Sequence, residues 1–420
     1  MIRRLPLLPL LLATATGAHA AAPVCEFQQV PVGTQQIGHW IDRSNWLATA
    51  NQRLSLQAGE VFMPSWRLPS PGNAAPAPTG QRPVDDFPTI DPLDGRPRSL
   101  GFLLDSRVYA DGLVVMRNGR VVAERYRNGL VPDKPRLLLD ATRPLLNLLG
   151  AMGIHQGKLA PDKSVGRVLS TLSASSGLRK MSIRRLLESE VRHSWSAEEV
   201  DSWRQAAGWT TGPGDEDIRT WLARPGRWDK PVNELSGPAF EASPDDDLLA
   251  WVLAESSAMP LSRLFCEQLL ARTRPEHDVL WLSDPQGTEL AAGLGLSLRD
   301  FAKLGQLLVD ARSNRNRGKV PAWFIETLTA TSGARSPEIK GLAAGSEQRY
   351  GFVHLGGSAN RIALIGSHGT SLYVDFDRRL VIALYATYPK PSTPGLLATL
   401  EQVWKAAEQA TSVPEKRRKP

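Results

Sequence analysis

Residues 137–146 read LLLDATRPLL, which places an acidic residue, Asp140, and a cationic residue, Arg143, inside a mainly apolar segment. Aspartate is favourable at the start of a helix because its carboxylate accepts hydrogen bonds from free main-chain amides. Arg143 lies three positions later, a spacing that lets it pair with Asp140 along a helix surface. Pro144 is tolerated there because the first helical amides lack acceptors within the helix. The segment therefore predicts a helix from residue 140 to about residue 156, with Asp140 as its cap.

The preceding segment predicts an antiparallel hairpin. Residues 111–126 (DGLVVMRNGRVVAERY) hold two apolar and β-branched runs around Asn118-Gly119, a dipeptide that accommodates the positive backbone angles of a tight turn. Further along, Ser297 is placed to cap an amphipathic helix. Near the C-terminus the pattern predicts strands near residues 350–355, 361–366, 371–375 and 380–387, and a helix at about 394–409.

These segments resemble the penicillin-recognising serine hydrolases, specifically the class C β-lactamase-related branch that includes esterases and 6-aminohexanoate-dimer hydrolases. The hairpin resembles that family's DGLVVLxxGRxVxERY segment, and residues 367–375 (SHGTSLYVD) resemble its HGxxLYVDP strand. The resemblance covers about residues 105–410. It implies an α+β fold of the β-lactamase/transpeptidase-like type, in which an antiparallel sheet is flanked by helices and carries a mainly helical insert.

In that family an LLMSxxKS motif opens the first long helix, where the serine is the acylated nucleophile and the lysine helps to remove its proton. Matching the chain residue by residue puts Asp140 at the serine and Arg143 at the lysine. A carboxylate cannot form the usual acyl ester, and a guanidinium remains protonated, so it cannot act as a base. No lysine in the chain has a serine three residues upstream.

The family's second motif, Tyr-x-Asn or Tyr-x-Ser, precedes a helix that matches residues 248–255 (LLAWVLAE). Counting back puts Glu241 at the tyrosine and Ser243 at the third position, whereas a one-residue slip puts Phe240 at the tyrosine. Neither alignment restores a phenol. The Ser-Gly of the family's LLxMxSG segment is also missing from residues 186–191 (LLESEV). Without the resemblance, Glu241 is a solvated loop carboxylate and Ser243 an ordinary loop or helix-capping serine.

The third motif keeps His368 and Gly369, at the strand that carries a Lys or His beside the acyl pocket in family members. Residues 206–209 (AAGW) resemble a segment of nylon-oligomer hydrolase relatives that forms an aromatic wall beside the cleft. The resemblance thus implies that Trp209, His368 and Gly369 contact a ligand. The alternative is that His368 is a packing residue and that the tryptophans of residues 195–228 form a core cluster of the helical insert.

The N-terminus resembles a signal peptide over residues 1–20, because Arg3-Arg4 precedes an apolar run at 5–15 and a small-residue cleavage site at 18–20. This resemblance predicts export to the periplasm or secretion. No apolar stretch of the sequence is long enough to predict a transmembrane segment. The chain has two cysteines, Cys25 and Cys266. An oxidising compartment allows a disulfide between them, but Cys266 also suits an apolar helix face as a free thiol.

Composition divides the 420 residues into an N-terminal extension with a proline-rich linker at 21–100, a main domain at 101–410 and a basic tail at 411–420. The main domain includes a mainly helical subdomain at about 160–285. The net charge of +7 is dispersed, and the basic cluster at 416–419 is expected to be a solvated tail. Nothing resembles a nucleic-acid motif, a phosphate loop or a Cys/His metal array, so no cofactor or metal is expected.

Two functions fit these observations. The first is an exported family member that has lost acyl transfer and binds a small or peptide-like ligand, or a protein partner. The second is an active hydrolase of amide or ester bonds with reassigned residues. Asp140 and Glu241 would then act as an acid/base pair, or would gather a divalent metal together with His368. The charge of Arg143 disfavours the metal version.

Overall fold

A computed structural model of the protein describes residues 25–32, 40–70, 82–172, 174–188, 191–212, 216–234, 240–313, 319–331, 336–358 and 360–412. The predicted signal peptide and most of the basic tail lie outside these residues. Among the described helices, none is long and apolar enough to cross a membrane.

The described strands and helices follow in chain order. The strands are β1 (Gln28–Val30), β2 (Ser65–Leu68), β3 (Pro88–Ile90), β4 (Pro97–Ser99), β5 (Ala110–Arg117), β6 (Arg120–Tyr126), β7 (Arg136–Leu137), β8 (Val191–His193), β9 (Val232–Glu234), β10 (Val279–Ser283), β11 (Glu289–Leu296), β12 (Glu347–Arg349), β13 (Phe352–His354), β14 (Arg361–Ile365), β15 (Ser371–Asp375) and β16 (Leu380–Ala386). The α-helices are α1 (Gln52–Ser55), α2 (Gly59–Phe62), α3 (Leu100–Ser106), α4 (Arg143–His155), α5 (Val165–Val168), α6 (Ser176–Lys180), α7 (Ile183–Glu188), α8 (Ala197–Ala206), α9 (Ile218–Ala223), α10 (Pro244–Ser257), α11 (Leu261–Phe265), α12 (Ala271–Thr273), α13 (Leu298–Arg312), α14 (Ala322–Thr329) and α15 (Pro394–Ala410). Short 3-10 segments lie at Leu139–Thr142 and Ser170–Leu172, and a π-helical turn at Cys266–Leu270.

The larger sheet has seven antiparallel strands in the order β12-β13-β14-β15-β16-β5-β6. The predicted hairpin is confirmed, since Asn118 and Gly119 at the β5–β6 turn have φ of 51° and 77°. Ser297 caps α13 as predicted by accepting from the Asp300 amide at 3.2 Å. Both α13 and α15 pack on this sheet, so the α+β arrangement of an antiparallel sheet flanked by helices is confirmed.

The smaller sheet joins the N-terminal segment to the main domain. Its order is β1-β2-β10-β11-β7, and β7 leads directly into the 3-10 turn that holds Asp140. Arg136 on β7 is fully buried and donates to the carbonyl of Ala386 and the hydroxyl of Thr370, at 2.9 and 3.1 Å. Because Ala386 ends β16, this side chain ties the smaller sheet to the larger one. The two sheets therefore meet beside residue 140.

The helices between α5 and α12 form the wall opposite the larger sheet, and the antiparallel pair of β8 and β9 lies among them. Four of the five tryptophans in residues 195–228 are buried there: Trp203, Trp209, Trp221 and Trp228. The indole N–H groups of Trp203, Trp221 and Trp228 each donate to an acceptor; that of Trp228 donates to the Leu222 carbonyl at 2.7 Å. The predicted core cluster is therefore present.

A disulfide joins Cys25 to Cys266. The alternative of a free thiol at Cys266 is wrong, although Cys266 is fully buried on an apolar helical face as that alternative required. The bond fixes the segment before β1 to the helical wall. It closes a chain segment of 241 residues, which strongly restricts the unfolded chain.

We expect Cys25→Ser to lower the free energy of unfolding by about 2 to 5 kcal/mol, the usual cost of losing a native disulfide. Urea denaturation followed by tryptophan fluorescence measures it. Ser44→Ala, an exposed change in the same N-terminal region, is the control. A Cys25→Ser midpoint equal to that of the wild type would show that the bond does not form in the folded protein.

Candidate functional site

A cavity of about 310 Å³ lies where the larger sheet meets the helical wall. It brings together three of the predicted catalytic residues, Asp140, Glu241 and His368, although they are far apart in sequence. Its other lining residues are Leu47, Gln52, Leu139, Trp203, Arg204, Trp209, Thr210, Ala242, Ala292, Ser367 and Pro391. We call it the small cavity.

Asp140 lies in the 3-10 turn behind Leu139, a non-glycine residue with φ of +50°. Its carboxylate accepts from the Ser367 amide at 3.1 Å and also contacts the Ser367 hydroxyl. Burial raises the pKa of Asp140 to about 6, because desolvation disfavours the charged form more than these hydrogen bonds and His368 favour it. The expectation that Asp140 caps the helix is wrong, since α4 begins at Arg143 with Thr142 as its N-cap.

Arg143 does not pair with Asp140, which corrects the second expectation for this segment. Its guanidinium forms an ion pair with Asp246 and donates to the Leu186 carbonyl at 2.9 Å. The intervening 3-10 turn places Asp140 towards the small cavity, whereas the first turn of α4 carries Arg143 into the interior. Burial lowers the pKa of Arg143 to about 9, which still leaves it protonated at neutral pH.

Asp246 belongs to a group of three consecutive buried aspartates at the start of α10 that the sequence analysis missed. The first, Asp245, accepts from His193 and from the Trp195 indole, each at 2.7 Å. The third, Asp247, accepts from the Trp203 indole and the Ala291 amide, each at 2.8 Å. Acids in a first helical turn are common because they suit the helix dipole. Three consecutive aspartates before the apolar run at 248–254 were the available signal, but the sequence does not reveal their distant partners.

Glu241 is exposed and lines the small cavity, and its main-chain carbonyl accepts from Arg192 at 2.6 Å. Phe240 is instead buried against the larger sheet and α15. The cavity geometry thus favours the alignment that places Glu241 at the tyrosine position. Ser243 is the N-cap of α10, where its main-chain N–H donates to Asp246 at 2.8 Å, and it does not line the cavity.

His368 is half-buried and fixed by Tyr388, which follows β16. The Nδ1 of His368 lies 3.0 Å from the Tyr388 carbonyl, and the His368 carbonyl accepts from the Tyr388 amide at 3.1 Å. A carbonyl only accepts, so Nδ1 carries a proton. Gly369 has φ of +89°, and a Cβ there would lie 2.4 Å from the Tyr388 ring. Gly369 therefore shapes the turn that presents His368 and does not itself line the cavity.

The aromatic wall of the small cavity is formed by Trp203 and Trp209. Trp209 stacks on Trp46 from the N-terminal segment, with ring centroids 5.9 Å apart, and Trp46 stacks in turn on Phe62. The Trp46 indole also donates to the Trp209 carbonyl at 2.9 Å. The predicted ligand contact at Trp209 and the predicted core cluster are thus compatible, because one buried stack also lines the cavity.

A metal arrangement is not formed at this site. Among the residues that the structure describes, no group of three or more His, Cys, Asp or Glu side chains is close enough to hold a metal ion. Asp140, Glu241 and His368, which were considered for a divalent cation, line one cavity but are not grouped closely enough to hold the ion, so that alternative is wrong.

A sequence profile of the β-lactamase family matches residues 103–402. The chain belongs to this family. A 6-aminohexanoate-dimer hydrolase of Paenarthrobacter ureafaciens is 24% identical over 295 residues, which cover 67% of this chain and 74% of the relative. A Bacillus anthracis structure described as a candidate 6-aminohexanoate-dimer hydrolase superposes with a TM-score of 0.74 at 19% identity, covering 91% of this chain and 100% of that chain. A class C β-lactamase superposes with a TM-score of 0.51 at 13% identity, covering 73% and 93%. The β-lactamase/transpeptidase-like fold predicted from the sequence is confirmed.

Asp246→Asn should lower the free energy of unfolding by about 3 to 5 kcal/mol, because it leaves the buried guanidinium of Arg143 without a counter-ion. Chemical denaturation measures the loss. Glu255→Gln, at the exposed end of the same helix, is the matched control and should change stability by less than about 0.5 kcal/mol.

The double variant Arg143→Met with Asp246→Leu should be more stable than Asp246→Asn, since it removes the buried guanidinium of Arg143 together with its counter-ion. Equal stability of Asp246→Asn and Glu255→Gln would contradict the assignment of this ion pair.

Asp140 should make stability fall as the pH rises. Its pKa is raised from 3.8 to about 6, so the folded protein binds this proton more tightly than the unfolded chain does. The contribution of protonated Asp140 to the free energy of unfolding is complete below about pH 4 and is lost as the pH rises through 6. This contribution amounts to ~3 kcal/mol. Asp140→Asn should therefore match the wild type at pH 4 and exceed it at pH 7.5. A stability difference that does not vary with pH would show that Asp140 titrates normally.

Proposed function

We propose that this chain is a non-acylating member of the β-lactamase family that binds a small amine- or amide-bearing ligand in the small cavity. The observation that carries the proposal is the ion pair between Arg143 and Asp246. The position that holds the basic lysine in the family is occupied here by a protonated guanidinium engaged with a carboxylate. Such a group cannot remove a proton from a nucleophile.

The lining of the small cavity supports this class of ligand. Asp140 and Glu241 offer negative charge to an amine, Arg204 offers a donor to a carbonyl, and Trp203 and Trp209 supply an apolar wall. The hydrolase from Paenarthrobacter, whose name gives an amine- and amide-bearing substrate, is consistent with that chemistry. A protein partner that inserts a peptide-like segment is the alternative occupant.

A second candidate function, an active hydrolase with reassigned residues, rests on one specific contact. The Ser367 hydroxyl touches the carboxylate of Asp140, whose raised pKa of about 6 suits a general base. Against it, the Ser367 amide also donates to that carboxylate and so is not free to stabilise an oxyanion. The negative charge of Asp140 would also oppose the developing charge of a tetrahedral intermediate.

We also propose that the chain is exported. The signal-like residues 1–20 support this, and so does the disulfide between Cys25 and Cys266, since disulfides persist in oxidising compartments.

One experiment separates binding from catalysis. The purified protein is titrated with the linear dimer of 6-aminohexanoate by calorimetry, and the mixture is then analysed for free 6-aminohexanoate. We expect binding that Glu241→Gln weakens, and no release above the buffer rate. Release that Asp140→Ala abolishes would support the reassigned hydrolase instead. Absence of both binding and release would contradict the proposed ligand class.

The structure refines how catalysis could be restored. Replacing Asp140→Ser and Arg143→Lys alone leaves the new lysine opposite Asp246, which keeps it protonated. We expect no acylation by p-nitrophenyl acetate in this double variant. Adding Asp246→Asn should give a stable acyl adduct by intact mass, with slow deacylation because Glu241 does not replace the tyrosine.

Adding Glu241→Tyr to the triple variant should then raise turnover, whereas Phe240→Tyr should not, because Phe240 is buried away from the cavity. Equal acylation of the double and triple variants would contradict the role given to Asp246. No adduct in a folded triple variant would show that the cleft itself has changed.

A further inference from the structure

A second, larger cavity of about 920 Å³ lies on the other side of α10. The N-terminal segment supplies Phe27 and Trp66 to its wall, and α10 supplies Asp247 and Trp251. The N-terminal part of this wall precedes the region matched by the family profile, and the disulfide at Cys25 fixes it in place. We call it the large cavity.

Asp247 on the inner wall carries a buried charge that no cation balances. Its two oxygens accept from the Trp203 indole and the Ala291 amide, both neutral donors, and no ion pair to it occurs within the described residues. Burial raises its pKa to about 6, so it remains mostly charged at neutral pH. An uncompensated buried carboxylate beside a cavity favours a positively charged ligand.

The mouth of the large cavity adds further negative charge. The exposed carboxylates of Glu26 and Glu255 line it, and neither has an ion-pair partner among the described residues. Of the two arginines on the wall, Arg263 is engaged with Glu267 at 2.8 Å, and Arg219 lies over the Trp251 ring at 5.6 Å from its centroid. Arg219 thus already lies over one face of Trp251, and the contact shows that this ring attracts a cation.

The remaining surface of the large cavity suits an apolar body. Phe27, Trp66, Trp251, Leu222 and Met259 line it. The indole N–H of Trp66 is buried without a hydrogen-bond partner in the described part of the chain, so it can donate to a ligand oxygen. Aromatic walls with a few polar groups are typical of small-molecule sites.

We propose that the large cavity is a second ligand site, which binds an organic cation with an apolar body through Asp247, the face of Trp251 and the carboxylates at the mouth. The site is independent of the small cavity in its lining residues. The two cavities share one wall, because Asp247 of the large cavity holds the indole of Trp203, which lines the small one.

Dansylcadaverine, an apolar primary amine with sulfonyl oxygens, tests the proposal by fluorescence anisotropy on the full chain. We expect it to bind, and expect its N-acetylated, neutral form to bind at least about tenfold more weakly. Asp247→Asn keeps an acceptor for Trp203 and should weaken amine binding by about tenfold or more. The double variant Glu26→Gln with Glu255→Gln changes only exposed side chains and should also weaken amine binding. It tests the proposal independently if Asp247→Asn does not fold.

Glu198→Gln, an exposed acid that lines neither cavity, is the matched control and should leave the affinity unchanged. The proposal is overturned by any of three results: no binding of the amine, equal binding of the acetylated form, or loss of binding in Glu241→Gln with Asp247→Asn unaffected. The last result would place the amine in the small cavity.

Discussion

The buried ion pair between Arg143 and Asp246 joins the first turn of α4 to the first turn of α10, and the arrangement of the site depends on it. Two charges taken out of water repay their desolvation only when they are closely paired. The pair therefore holds both helix starts in one relative position. Asp246 also accepts from the Ser243 amide, so the loop that carries Glu241 is held by the same carboxylate.

This constraint explains how the site keeps its shape without the family's nucleophile and base. In the proposed function, Arg143 at the family's base position has a structural role, and Asp140 stands at the nucleophile position, where it accepts a hydrogen bond from the Ser367 amide. His368, oriented by Tyr388, still faces the small cavity, and the Trp209 stack still lines it. Under the proposed function, these surfaces recognise a ligand, and fixed charge takes the place of the reactive pair.

The sequence predicted the parts of this structure that depend on local chemistry. The Asn118-Gly119 turn, the Ser297 cap and the C-terminal strands follow from turn geometry and residue periodicity, which act over a few positions. The partner of Arg143 was predicted wrongly, because the nearest acid in sequence was chosen over one brought close by folding. The sequence also left the disulfide open, because burial of Cys266 is compatible with a disulfide and with a free thiol. The large cavity was invisible because its wall combines the N-terminal segment with α10.

The proposed loss of acylation is tested most directly by asking whether the wild-type protein forms a covalent adduct with a fluorophosphonate. That reaction requires a hydroxyl nucleophile activated by a neighbouring base. The folded protein is incubated with excess probe, and its intact mass is measured against a Ser367→Ala variant. We predict an unchanged mass for both proteins, because Arg143 is held by Asp246 and the Ser367 amide donates to Asp140, so this amide is not free to stabilise the charge that develops on the probe. A stoichiometric mass increase that maps to Ser367 and is absent from Ser367→Ala would contradict it and would show an active, reassigned hydrolase.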